Sequence, residues 1–108
     1  DFDVTLVDGR RALVECKNVS PNTYADGTPR VEVQKPRSQR DPAGRFYRPD
    51  QFDAVAACLY PVTGRWEFRF KATSLMERHP LHPDRLAVLH RVDDTWTTTL
   101  ATALEAPG

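Results

Sequence analysis

Polar and apolar residues alternate along two neighbouring runs near the start of the chain. In the first run, DFDVTLV, Asp1 and Asp3 fall on one side and the apolar residues fall on the other. The second run, RALVECK, alternates in the same way and follows the dipeptide Asp8-Gly9. A period of two predicts a β-strand for each run, and Asp-Gly between them predicts a tight antiparallel hairpin.

Charged side chains interrupt the second of these strands. Leu13, Glu15 and Lys17 share one face, whereas Cys16 lies on the other. A hairpin closed at the Asp-Gly turn brings Asp3 within one or two residues of Glu15, on the same face. Desolvating an unpaired charge is costly, so these charges on otherwise apolar strands favour a functional role.

The same signals predict further elements downstream. The first are a loop over 18–29, an extended strand over 30–37 and a helical turn over 49–52. A buried strand over 54–60 and a half-exposed strand over 65–73 are predicted to pair as a hairpin. A strand over 85–93 carries His90 on its polar face, and an amphipathic helix over 94–106 has Asp94 as its N-cap. Apolar spacing assigns two sets of residues to the core: Trp66, Phe68 and Phe70 on the half-exposed strand, and Trp96, Leu100 and Leu104 on the helix.

Length and composition bound the possible classes of protein. A chain of 108 residues forms one small domain over 1–108, and its 15 basic and 15 acidic residues direct it to no particular partner. No apolar run approaches the roughly 18 residues of a membrane span. Cys16 and Cys58 lie in apolar runs and are predicted to be reduced core thiols, which indicates a cytoplasmic protein. With no initiator methionine, the chain is expected to be a fragment fused to further domains.

One strongly basic stretch lies in this neutral chain, over 30–48. It holds six basic residues, Arg30, Lys35, Arg37, Arg40, Arg45 and Arg48. Such a cluster predicts contacts to phosphates, which position a nucleic acid without reading its sequence. Phe46 and Tyr47 stand between these arginines, and they are predicted to pack into the core rather than to stack on an unpaired base.

Two histidines form a further candidate pair. His79 and His82 each precede a proline, which indicates a loop. A structural zinc site usually needs four ligands at tight spacing, so these are predicted to be ordinary loop residues. For Asp53, a role at the start of its strand and a contact to a metal are both open.

Asp3, Glu15 and Lys17 together suit a metal-assisted reaction. Two carboxylates on adjacent strands, with the backbone carbonyl of Cys16, offer the oxygen ligands that Mg²⁺ takes along with several waters. A lysine beside that metal can orient a water and offset the charge that builds on a phosphate. The alternative is a surface cluster of ion pairs, a pattern that many unrelated strands also match.

The segment DFDVTLVDGRRALVECKN resembles the catalytic hairpin of the PD-(D/E)XK nucleases, the restriction-endonuclease-like superfamily. Those proteins carry an Asp on one strand and Glu-x-Lys on the next, around one or two Mg²⁺ ions. The segments VEVQKPR and RFYRPDQFDAVAACLYPVTGRWEFRF also resemble that superfamily, so the resemblance covers about the first two-thirds of the chain. It implies an α/β (α+β) restriction-endonuclease-like core, in which helices flank a mixed central sheet of about five strands.

The resemblance also implies roles for particular residues. Asp3 and Glu15 would bind Mg²⁺, or Mn²⁺ in its place, with Asp1 as a reserve ligand and Lys17 as the catalytic lysine. Residues of the basic stretch would contact the nucleic acid, namely Gln34 and Lys35 near the scissile phosphate, and Arg37, Arg40 and Arg45.

The expected function is a Mg²⁺-dependent DNA endonuclease of restriction or repair type, with a homodimer as one expected assembly. The sequence departs from the superfamily in lacking the helix that precedes its first catalytic strand. The alternatives are a DNA-binding module of this fold without catalysis and a protein-interaction domain.

Overall fold

Six β-strands form two sheets in the computed structural model, which describes residues 2–5, 9–34 and 46–105. Two short α-helices and one 3₁₀ turn also lie within these described residues. In chain order the elements are β1 (Phe2–Thr5), β2 (Arg11–Asn18), β3 (Arg30–Glu32), β4 (Ala54–Cys58), α1 (Tyr60–Thr63), β5 (Phe68–Ala72), the 3₁₀ turn (Thr73–Leu75), β6 (Leu89–Arg91) and α2 (Leu100–Glu105).

The larger sheet is mixed and has the strand order β1-β2-β4-β5. β1 runs antiparallel to β2, β2 runs parallel to β4, and β4 runs antiparallel to β5. β3 and β6 pair antiparallel as a separate sheet of two strands. The expectation of a mixed α/β fold is therefore confirmed. The larger sheet has four described strands rather than about five, because β3 and β6 pair with each other in a second sheet.

The two faces of the four-stranded sheet are covered differently. The face that we call the inter-sheet face packs against β3, β6 and the segments around them. Its core consists of Val19, Val31, Val33, Phe52, Val55, Ala57, Leu59, Met76, Leu86, Val92 and Trp96. The opposite face, which we call the helix face, is covered by α2. Its smaller core consists of Ala12, Val14 and Ala56, with Val4, Phe70, Leu100 and Leu104 packed against it.

The β1–β2 hairpin has the predicted antiparallel pairing, with Asp3 opposite Leu13. Gly9 lies between the strands with a φ of +89°, a left-handed conformation that glycine adopts without strain. Asp8 lies outside the described residues.

The C-terminal helix is shorter than its apolar spacing predicts. It begins at Leu100 rather than near Asp94, and the hydroxyl of Thr99 accepts a hydrogen bond from the amide of Thr102 at 3.2 Å. The backbone of Thr97 instead exchanges hydrogen bonds with Phe70, at 2.8 and 2.9 Å. Threonine is β-branched and favours extended backbone. Trp96 therefore lies in the inter-sheet core and not on the helix.

The predicted core face of β5 is only partly buried. Phe70 packs against the core of the helix face, whereas Phe68 is 37% exposed and Trp66 is 75% exposed. A helix of six residues is about 9 Å long, so α2 covers the Phe70 end of this face and leaves the Trp66 end open. The assignment of Trp66 and Phe68 to the core was wrong for this reason.

Two other burial expectations are also corrected. His90, expected on a polar face, is 7% exposed, because it pairs with the fully buried Val31 and shares its face toward the core. Cys58 is buried as expected, but Cys16 is exposed, since α2 does not extend over its end of β2. Both cysteines are free thiols.

Smaller differences concern the connections. The segment over 49–52 forms a single turn closed by a 3.2 Å bond from the amide of Gln51 to the carbonyl of Arg48, rather than a helix. The strand expected over 54–60 ends at Cys58, and Tyr60 begins α1. Within the described residues, no helix has both the length and the apolar character needed to cross a bilayer.

Asp53 fixes the start of the parallel pairing between β2 and β4. Its carboxylate accepts a 2.8 Å hydrogen bond from the amide of Leu13, and its own amide donates to the carbonyl of Leu13 at 2.7 Å. The Asp53 carboxylate thus extends the hydrogen-bond ladder between β2 and β4 to the residue that precedes β4. Of the two roles left open for Asp53, the one at the start of the strand is confirmed.

We expect Asp53→Ala to lower the free energy of unfolding by about 0.5–1.5 kcal/mol, the usual net value of one hydrogen bond. Asp53→Asn keeps an acceptor oxygen and should recover most of this loss. Asp50→Ala is the control, since Asp50 makes an exposed ion pair with Arg48 and should cost less than about 0.5 kcal/mol. Urea unfolding measures all three, and equal losses for Asp53→Ala and Asp50→Ala would contradict this role.

We expect His90 to make the free energy of unfolding depend on pH. Burial is the main cause that lowers its pKa from the ordinary value of 6.5, and the charge of Lys71 adds to it, while a hydrogen bond to Ala87 and the charge of Glu77 oppose it. The unfolded chain therefore binds more protons than the folded one below about pH 6.5. The free energy of unfolding should be highest above that pH and fall as the pH decreases through it.

Urea unfolding at pH 7.5 and pH 5.5 tests this expectation. The wild type should be less stable at pH 5.5, and His90→Gln, which keeps a donor for the Ala87 carbonyl but does not titrate, should lose much of the difference. Asp26 and Asp93 have pKa values lowered from 3.8 and contribute only at lower pH. An unchanged difference in His90→Gln would show that other groups are responsible.

Candidate catalytic site

The hairpin places the three candidate side chains on one face of the four-stranded sheet. Asp3 pairs with Leu13, and Glu15 and Lys17 follow at every second position along β2. Asp3 therefore lies two positions from Glu15 along β2, within the predicted range, and on the same inter-sheet face. The sequence pattern and the strand register agree on this arrangement.

Glu15 and Lys17 form an ion pair at the margin of the inter-sheet core. The ammonium nitrogen of Lys17 lies 3.7 Å from Oε1 of Glu15 and donates to the backbone carbonyl of Gln34 at 3.3 Å. The side chains are 9% exposed for Glu15 and 23% exposed for Lys17. In the pairing with β4 they stand beside Val55 and Ala57, both fully buried. A charged pair is thus held where apolar side chains would ordinarily pack.

Asp3 lies at the more open end of the site and pairs with Arg11. The guanidinium of Arg11 donates to the carboxylate of Asp3, and the side chains of Arg11 and Asp3 are 72% and 49% exposed. Exposed pairs of this kind contribute about 0–1 kcal/mol, so Arg11 is a weak competitor for this carboxylate. Sequence reasoning missed Arg11, although a period of two along β2 already places it on the face of Leu13 and Glu15.

Tyr47 is the second residue at the site that sequence reasoning did not assign to it. It packs against the inter-sheet core, as predicted, with its ring edge-on to Phe52 at 5.0 Å. Its ring centroid also lies 5.7 Å from the ammonium nitrogen of Lys17, within the range of a cation–π contact. Burial, followed by the charge of Glu15, raises the pKa of the Tyr47 phenol, which therefore stays protonated at neutral pH.

Gln34 reaches the site through its backbone. Its carbonyl accepts the bond from Lys17, while its side-chain amide donates to the carboxylate of Glu32. Four predicted nucleic-acid contacts and the reserve ligand lie outside the described residues: Lys35, Arg37, Arg40, Arg45 and Asp1.

Two arginines of the basic stretch lie within the described residues. Arg48 pairs with the carboxylate of Asp50 at 3.2 Å. Arg30 lies over the ring of Tyr24 with its guanidinium carbon 5.9 Å from the centroid. Contact of these arginines with phosphate stays a prediction.

The donor atoms at this site suit a hard cation rather than zinc. Asp3 and Glu15 supply carboxylate oxygens, and Cys16 lies between Glu15 and Lys17 with its thiol on the opposite, helix face. Over the described parts of the chain, three or more His, Cys, Asp or Glu side chains nowhere gather as a metal cluster. Carboxylate and carbonyl oxygens are the donors that Mg²⁺ takes along with several waters, whereas a structural zinc site takes four protein ligands.

The histidine pair lies in a loop, as predicted. The rings of His79 and His82 are 5.0 Å apart, and Phe46 packs on His79 at 4.4 Å. Nδ1 of His79 accepts a 3.1 Å hydrogen bond from the amide of Leu81. That nitrogen is therefore occupied, and among the described residues the pair belongs to no group of three or more potential metal ligands.

Comparison with known proteins adds no relative to this picture. The chain matches no protein-family model, no curated protein and no solved structure. The functional argument therefore depends on the residues, burial and charges of the site described above.

Proposed function

We propose that this chain is a metal-dependent endonuclease that hydrolyses phosphodiester bonds in DNA, of restriction or repair type, with a restriction-endonuclease-like core. Asp3, Glu15 and the carbonyl of Cys16 would hold Mg²⁺, or Mn²⁺ in its place, and Lys17 would act on the attacking water and the phosphate. The observation that carries this proposal is the Glu15–Lys17 pair, held at the margin of an apolar core.

Burial of this pair is costly for folding alone. Well-packed apolar residues in place of a buried ion pair are often neutral for stability or stabilising by about 1–4 kcal/mol. The neighbours Val55 and Ala57 show that apolar packing is available at this position. We therefore take this charged pair as the centre of the proposed site.

The three candidate side chains differ in exposure, and this difference suggests a separate role for each. Asp3 is about half exposed and open to a ligand that arrives from solvent, whereas Glu15 closes the buried end. Lys17 is restrained by two contacts, to Glu15 and to the Gln34 carbonyl, so its ammonium is preorganised for charge that develops on a phosphate. Mg²⁺, when bound, would polarise the phosphate and lower the pKa of a bound water.

Four cations of the basic stretch follow this site along the chain. Gln34, whose carbonyl contacts Lys17, is followed directly by Lys35, Arg37, Arg40 and Arg45. We therefore assign Gln34 and these four residues to contacts with the DNA backbone, which give affinity and register but no sequence preference. A homodimer in the cytoplasm completes the proposal.

A second candidate is a DNA-binding or protein-interaction module without catalysis. The observation that favours it is that each candidate carboxylate already contacts a cation, Asp3 with Arg11 and Glu15 with Lys17. In that case the charges would serve only as ion pairs, and removal of metal would change nothing.

Cleavage of supercoiled plasmid with Mg²⁺ tests the proposed activity. We expect the wild type to nick or linearise the plasmid, and Glu15→Gln and Lys17→Met each to reduce the rate by about 100-fold or more, as expected when a group that stabilises the transition state is lost. Glu105→Gln, at the exposed end of α2, is the matched control and should cleave normally.

The same assay gives clear contrary results. Cleavage that continues in EDTA would rule out the metal, and cleavage that is equal in wild type and Glu15→Gln would rule out the site. DNA binding without cleavage in all variants would favour the second candidate.

Metal binding is tested separately by thermal unfolding at constant ionic strength. A site that binds only the folded chain adds about 1.4 kcal/mol at ten times its Kd, or roughly 5–10 °C in Tm for a domain of this size. The wild type should show this shift with Mg²⁺ or Mn²⁺, and Asp3→Asn should lose it.

Arg11→Gln shows whether the shift depends on the Asp3 carboxylate itself or on its ion pair with Arg11. This variant also breaks the Asp3–Arg11 contact but keeps the oxygen ligands, so it should retain the shift. An equal loss in Arg11→Gln and Asp3→Asn, or no shift in the wild type, would count against a metal site at Asp3.

A further inference from the structure

The ring of Tyr47 joins the inter-sheet core to the candidate catalytic lysine. Its centroid lies 5.7 Å from the ammonium nitrogen of Lys17, a distance at which a cation is attracted to a π-face. The ring also meets the ring of Phe52 edge-on, with 5.0 Å between the centroids. Phe52 is 4% exposed and belongs to the inter-sheet core. The aromatic ring beside Lys17 is therefore anchored in apolar packing.

The backbone around Tyr47 fixes the position of this ring. The carbonyl of Tyr47 accepts a 2.7 Å hydrogen bond from the amide of Leu86, which is fully buried. The amide of the next residue, Arg48, donates to the side-chain oxygen of Gln51 at 2.7 Å. Two short hydrogen bonds thus hold the main chain directly after the ring, so the placement of Tyr47 beside Lys17 follows from the fold.

The polar contacts of Lys17 are longer than strong hydrogen bonds. Its ammonium nitrogen lies 3.3 Å from the carbonyl oxygen of Gln34 and 3.7 Å from Oε1 of Glu15. Charge-assisted hydrogen bonds from nitrogen to oxygen usually measure about 2.7–2.9 Å. Because the lysine side chain is also flexible, these two contacts leave room for a third restraint on the ammonium.

An aromatic ring can restrain the ammonium without using one of its N–H groups. The attraction between a cation and a π-face acts on the charge, whereas each polar contact uses one of the three N–H donors. In Lys17, one donor serves the carbonyl of Gln34 and one points to Glu15. The third donor stays available for a phosphate oxygen.

We propose that Tyr47 is a positioning residue, whose ring holds the ammonium of Lys17 in place for a phosphate. It acts through Lys17 and touches none of the reacting atoms. The inference rests on the proposed function for the role of Lys17, but its first test needs no cleavage. If Tyr47 served packing alone, another apolar side chain would replace it without any effect on Lys17.

The reactivity of the lysine amines in EDTA tests this role. The 108-residue chain is treated with a limiting amount of N-hydroxysuccinimidyl acetate, and acetylation at each lysine is followed by mass spectrometry. Tyr47→Leu should raise the rate at Lys17 by about 2- to 30-fold, the range expected for one cation–π contact. Tyr47→Phe, which keeps the ring and loses the hydroxyl, should react as the wild type does.

Two controls separate positioning from a general loosening of the fold. Lys71 is the internal control, since its ammonium bonds the hydroxyl of Thr95 at 3.0 Å and its acetylation should be the same in every Tyr47 variant. Tyr24→Leu is the matched variant, because the ring of Tyr24 lies 4.0 Å from the guanidinium carbon of Arg91. Loss of that ring should leave the rate at Lys17 unchanged.

A second measurement on the wild type needs no substitution. The ring current of Tyr47 should shift the NMR signals of the Cε protons of Lys17 upfield from their positions in the urea-unfolded chain. Tyr47→Leu, where it folds, should lose this shift, and Tyr47→Phe should keep it. Absence of the shift in the folded wild type would overturn the proposal by itself.

The acetylation rates also give clear contrary results. Equal rates at Lys17 in the wild type and Tyr47→Leu would overturn the proposal, as would a rise in Tyr47→Phe as large as that in Tyr47→Leu. An equal rise at Lys71 would assign Tyr47 to core packing instead. Ring-dependent protection of Lys17 without plasmid cleavage by the wild type would refute the nuclease and leave the contact between Tyr47 and Lys17 established.

Discussion

The parallel pairing of β2 with β4 is the constraint on which the rest of the structure depends. Parallel neighbours cannot be joined by a tight turn, and β2 and β4 are separated by the 35 residues over 19–53. The described part of this connection contains β3, which lies on the inter-sheet face and pairs there with β6. The carboxylate of Asp53, which continues the ladder to Leu13, fixes the point at which the two strands meet.

The candidate site is a consequence of this same pairing. Because β4 lies beside β2, Glu15 and Lys17 face a layer that contains Val55 and Ala57 rather than water. The low exposure strengthens every electrostatic interaction there and makes each charge need a partner. Asp3 lies on the edge strand β1 and is about half exposed. The Glu15–Lys17 end of the site is therefore preorganised, and the Asp3 end is open to ligands.

The sequence predicted what depends on neighbours along the chain. The period of two along β1 and β2 identified the hairpin and the shared face of Asp3, Glu15 and Lys17, since strand geometry alone determines that face. The sequence pattern failed where contacts between distant segments determine whether a side chain is buried. Trp66 has the same spacing as Phe70, but its exposure depends on the length of α2. The sequence placed His90 on a polar face, but the pairing of β6 with β3 places it beside Val31, toward the core.

Tyr47 and Trp66 show the same limit within the functional interpretation. Tyr47 packs against the core as predicted but also adjoins Lys17. Trp66, assigned to the core from its spacing, is largely exposed. Lys17 and Asn18 at the end of β2, and Cys58 at the end of β4, lie at the carboxyl ends of the parallel pair, where ligands of α/β sheets commonly bind. The carbonyl of Gln34 contacts Lys17 at this same end, so the buried side of the candidate site lies where the two parallel strands end.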